Sequence, residues 1–110
     1  MANVKLTYRS NGKKRKEWFA KCEGNKEGVF ITATYSPFYE VWGFEAYTYK
    51  ILKEGGAKKI DFCLVNVDGV AIDDIKLKVS LDDRDSVLAM AQKVATAVYE
   101  KSVYFNKKTA

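Results

Sequence analysis

SPFYEVWGFEAYTYKILKEGG, residues Ser36–Gly56, decides how the rest of the chain is arranged. It holds the only proline, six aromatic residues and a closing Gly-Gly pair. Ser36 before Pro37 has the form of an N-cap followed by a first-turn proline, and Gly55 stands where a left-handed C-cap residue follows Lys53-Glu54. These ends predict a helix of about five turns at 1.5 Å rise per residue. Helical spacing then places Phe38, Val41, Trp42, Tyr49 and Leu52 on one face with Glu45 among them, and leaves Phe44, Tyr47 and Ile51 on the other. Gly43 costs about 1 kcal/mol in such an interior. The rival reading is a strand from Val41 to Ile51, favoured by aromatic and β-branched content, which would enlarge the preceding sheet.

Before this stretch the chain reads as strands. Val4, Leu6 and Tyr8 alternate with Lys5, Thr7 and Arg9, so one face is apolar. Ser10-Asn11-Gly12 supplies turn chemistry. Trp18, Ala20 and Cys22 then share a side of a second strand. After a polar connection over 23–28, Val29, Ile31, Ala33 and Tyr35 alternate with Phe30, Thr32 and Thr34. Three strands joined this way form an antiparallel meander.

After it, Lys58–Val67 is apolar on both faces and predicts a central strand. Asp68-Gly69 marks a hairpin, with a return over Val70–Val79 that Asp73-Asp74 interrupts. Ser80 or Asp82 caps a final helix whose stripe is Val87, Met90, Ala91, Val94 and Val98, widened by Leu88, Ala95 and Ala97. The tail from Asn106 to Ala110 is expected to fray. The expectation is one α+β domain over 1–110, ordered β-β-β-α-β-β-α, with an antiparallel sheet of about five strands and the C-terminal amphipathic helix packed on it.

At 110 residues and 47% hydrophobic content the chain can bury a core of ordinary size. It has no membrane-length apolar run and no secretory signal, which predicts a cytoplasmic protein without a membrane partner. Cys22 and Cys63 lie in apolar runs, where a free thiol behaves as a small hydrophobe; a disulfide is the alternative. Histidine is absent, which removes the commonest general base and transition-metal ligand. The acids Asp68, Asp73, Asp74, Asp82, Asp83 and Asp85 lack the spacing of a calcium loop, and several suit a helix start. No catalytic residue, metal site or cofactor is assigned, and the expectation is a protein that is not an enzyme.

The net charge of +5 is uneven: residues 1–59 carry 12 Lys/Arg against 6 Asp/Glu, and 60–110 carry 7 against 8. The excess concentrates in RSNGKKRK, where Arg9, Lys13, Lys14, Arg15 and Lys16 face no acid. Cations on a projecting hairpin can follow a phosphate backbone, and Tyr8, Trp18 and Phe19 lie nearby in sequence. The expected function is a small binding protein that contacts nucleic acid, or a nucleic-acid-associated protein, through these five residues. The alternative is a protein-interaction module, such as a viral or phage-encoded inhibitor docking on a larger host enzyme. Tyr39, Phe44 and Tyr47, off the predicted core stripe, are its partner surface.

Element order over residues 3–67 resembles the start of a ribonuclease H-like fold. That fold's chemistry needs an aspartate on the first strand, where VKLTYRS has none, and the end of the next strand carries Asn66. The resemblance therefore implies architecture and transfers no activity.

Overall fold

A computed structural model describes residues 4–22, 28–51 and 53–109, the side chains at 22, 50–51, 57, 59–60 and 102–109 excepted. The expectations for Leu52, the 23–27 connection and the Cys22 side chain lie outside the described residues. The chain is α+β: five antiparallel strands in the order β1-β2-β3-β4-β5, a two-stranded ribbon, and one C-terminal helix on the sheet. The strands are β1 (Val4–Asn11), β2 (Arg15–Cys22), β3 (Gly28–Ser36), β4 (Val41–Ile51) and β5 (Ala57–Phe62).

The helix expected over Ser36–Gly56 is not formed, because β4 occupies that stretch as a strand beside β3. The chemistry that suggested helix caps is present, but each end serves a turn. Ser36 accepts the Glu40 N–H on its carbonyl at 2.7 Å and the Tyr39 N–H on its hydroxyl at 3.4 Å, closing one turn that stops at Glu40 with φ +55°. Gly55, at φ +92°, turns the chain from β4 into β5. Between these turns the pattern has period two. Trp42, Phe44 and Ala46 are buried on one face, while Gly43, Glu45 and Tyr47 take the other. Phe44 is therefore a core residue at 3% exposure, which corrects its assignment to a partner surface. With a strand at this position, the element order shared with a ribonuclease H-like fold disappears.

Beyond β5 the expected long strand pair is broken. The ribbon is only β6 (Asn66–Val67) with β7 (Val70–Ala71), joined by the expected Asp68–Gly69 turn. A 3-10 turn at Ile72–Asp74 then buries Ile72 and Ile75 and leaves Asp73 and Asp74 in water. Leu77 exchanges two backbone hydrogen bonds with Trp42, at 2.9 and 3.0 Å, so this segment covers the part of β4 that β5 leaves open.

Helix α1 (Arg84–Thr109) starts where Asp83 accepts the Ser86 N–H at 3.1 Å, one residue beyond Asp82 and three beyond Ser80, the caps read from sequence. Its buried face is Val87, Ala91, Val94, Ala95 and Val98, as the stripe predicts, with Tyr99 added. The Tyr99 hydroxyl donates to the Ala20 carbonyl at 2.8 Å, and the Gln92 amide donates to the Val4 carbonyl at 2.9 Å. The helix is thereby tied to β2 and to the edge strand β1. Cys63 is half-buried beside the end of β5. Among the described residues no helix is long and apolar enough to cross a membrane.

Only one face of the sheet is covered by α1. The other carries the odd-numbered positions of β2 and β4 and the even-numbered positions of β3.

Candidate nucleic-acid interface

Antiparallel pairing sends the β1–β2 turn and the β3–β4 turn to the same end of the sheet. The Tyr35 N–H donates to the Lys14 carbonyl at 2.8 Å, holding the two turns side by side. Lys13 and Lys14 are exposed at the first tip. Phe38 (85% exposed) and Tyr39 (69%) stand at the second, their rings in edge contact at 4.8 Å. Two surfaces far apart in sequence, the basic hairpin and an aromatic turn, thus meet at one end. Phe38 was not among the expected residues, because the helical reading placed it in the core.

The five basic residues divide into three environments. Lys13 and Lys14 project into solvent. Arg9 and Arg15 lie on the helix-free face and share Glu17, at 2.9 and 3.3 Å, so part of their charge is already neutralised. Arg9 also sits 5.7 Å from the Phe30 ring centre, and Arg15 donates to the Thr34 hydroxyl at 3.3 Å. Lys16 differs. On the core phase of β2 it is 3% exposed, donates to Asn11 Oδ1 at 2.7 Å and the Gly12 carbonyl at 3.1 Å, and lies over Trp42. Burial, and then the nearby Arg84 charge, lower its pKa. Lys16 holds the hairpin together from inside, which corrects its place among the phosphate-contacting residues.

Of the aromatics near the loop, Trp18 is buried and Tyr8 packs on it at 5.4 Å. Phe19 points the other way. On the helix-free face it meets Phe30 at 5.5 Å and Tyr49 at 5.0 Å, while Phe30 is registered opposite Tyr47, which in turn contacts Phe62 at 5.3 Å. Five rings therefore run across β2, β3, β4 and β5. The signal for them was an aromatic residue in the polar phase of each strand, as at Phe19 and Phe30.

Tyr47, assigned to a partner surface, is half-buried in this row. Its hydroxyl donates to Glu45 at 2.9 Å, and that bond, followed by burial, raises its pKa. Glu45 itself is exposed and partnered, so β4 carries no buried lone carboxylate at this position. The described residues contain no group of three or more His, Cys, Asp or Glu that could hold a metal ion.

Gly28 is registered opposite Tyr49, and a Cβ there would fall inside the Tyr49 ring. The missing side chain lets that ring lie across β3 and reach Phe19. Gly28→Ala is therefore expected to swing Tyr49 off Phe19 and to cost about 1–3 kcal/mol as an overpacked site. Thermal unfolding, together with the amide shifts of Phe19 and Tyr49, checks this; an unchanged melting temperature with unchanged shifts would contradict the packing. No protein-family model, curated protein sequence or solved structure matches this chain.

Proposed function

We propose that this chain is a small non-enzymatic binding protein for single-stranded nucleic acid, engaged by the hairpin end and the helix-free face. The observation that carries the proposal is the convergence of exposed cations and exposed rings at one end of the sheet. Lys13 and Lys14 stand beside Phe38 and Tyr39, and the Phe19-to-Phe62 ring row, with Phe30 buried within it, crosses the same face nearer its other end. Cations that displace counterions supply affinity, and ring stacking contributes about 1–3 kcal/mol per base without sequence choice. A single strand suits the arrangement better than a duplex, whose bases are already stacked.

One observation favours a second reading. Phe38 and Tyr39 form a protruding aromatic pair, the kind of anchor that protein interfaces bury, so a protein partner such as a nucleic-acid enzyme is the alternative. Fluorescence anisotropy with a labelled single strand of about 16 nucleotides separates the two. Binding at low salt that weakens in Phe38→Ser/Tyr39→Ser is the expected result. Absence of binding at millimolar protein would overturn the nucleic-acid reading and leave the protein-partner reading standing.

A further inference from the structure

At the opposite end of the helix-free face, the β4–β5 turn curls back toward β1 and encloses an open basin of about 720 Å³. Its walls are Lys5, Arg9, Phe19, Lys21, Tyr49 and the Gly55-Gly56 turn. The volume falls within the range of small-molecule sites, and the lining combines ring faces with cations. From this geometry we infer that the basin binds one nucleotide unit, the base on the basin side of the Phe19–Tyr49 ring pair and the phosphate on Lys5 and Lys21.

Three observations point to such a ligand. Phe19 and Tyr49 touch at 5.0 Å with their planes inclined at 58°, a joined aromatic pair on whose basin side a planar base can stack against one ring and meet the edge of the other. Burial raises the Tyr49 pKa, so its phenol stays neutral beside an anion. Lys5 and Lys21 are direct cross-strand partners, both exposed, and neither has an ion-pair partner among the described residues. Like charges directly opposite destabilise a sheet, and a phosphate bridging them reverses the sign of that interaction. Arg9 is held by Glu17 and borders the basin as a secondary contact.

The inference extends beyond the hairpin end and is tested apart from it. The full chain is titrated with adenosine 5′-monophosphate, adenosine and inorganic phosphate while amide shifts are followed by NMR. The monophosphate is expected to shift Phe19, Lys21, Tyr49, Gly55 and Gly56, and to bind at least about tenfold more tightly than either fragment, a difference of about 1.4 kcal/mol. Lys21→Glu replaces the like-charge pair by an opposite one, so it is expected to weaken the monophosphate about tenfold or more while raising the melting temperature. Tyr49→Leu is expected to weaken the monophosphate and leave phosphate binding unchanged. No shift in the basin at millimolar monophosphate, or phosphate binding as tightly as the monophosphate, would overturn the inference. Oligonucleotide binding without basin shifts refutes the basin and spares the proposed function; basin shifts without oligonucleotide binding do the reverse.

Discussion

Phe44→Ala is expected to lose about 3–5 kcal/mol of folding stability, whereas Phe38→Ala is expected to change it by less than about 0.5 kcal/mol. The contrast follows from the phase of β4. As a strand, Ser36–Gly56 directs Trp42, Phe44 and Ala46 against the face that α1 covers and leaves Phe38 in the turn, 85% exposed. A helix through the same residues would exchange the two phenylalanines, burying Phe38 and exposing Phe44. Truncating a side chain that is 3% exposed removes its transfer energy and leaves a cavity. A domain of this kind is stable by only about 5–15 kcal/mol, so Phe44→Ala approaches global unfolding. Urea unfolding of both variants measures the difference. Equal midpoints, or a larger loss at Phe38, would contradict the strand.

That contrast also marks how much of the fold was legible. Strands β1, β2 and β3 are legible because their core residues recur at every second position, Phe19 and Phe30 being the apolar exceptions, and polar stretches separate them. Likewise, the stripe from Val87 to Val98 fits a helix and nothing else. The stretch that forms β4 reads as a helix because Ser36-Pro37 and Gly55 carry chemistry that serves a turn as well as a helix cap. The deciding pattern, Gly43 and Glu45 alternating with Trp42, Phe44 and Ala46, is local and was present. Other features depend on long-range packing. Nothing near Lys16 in sequence announces that it points at Trp42, and nothing near Tyr99 announces a bond to Ala20, 79 residues away. Similarly, the basin joins Gly55-Gly56 to Lys5 across the width of the sheet. The basic hairpin was legible as charge, but its division into exposed, Glu17-bound and buried members was not.

The second large effect is on binding. At about 50 mM salt the single-strand counterion coefficient assigns each lysine–phosphate contact roughly eightfold in affinity, so Lys13→Ala/Lys14→Ala is expected to weaken an oligonucleotide roughly 60-fold. The same exposed tip contributes little to folding, and stability is expected to stay within about 0.5 kcal/mol. Lys16→Met is the internal control. Because Lys16 is buried and spends its protons on Asn11 and Gly12, its replacement is expected to leave the salt dependence unchanged. A salt dependence reduced by Lys16→Met, but not by the double variant, would place the phosphate contacts elsewhere.

If the hairpin end binds a single strand as proposed, the salt dependence of oligonucleotide affinity in the unmodified chain reports the phosphates it neutralises. Lys13 and Lys14, exposed at the hairpin tip and without an ion pair among the described residues, set a slope of about −1.4 in a plot of log affinity against log salt, and engagement of Lys5 and Lys21 in the basin steepens it to about −2.8. A slope near zero, or no binding at low salt, would contradict it.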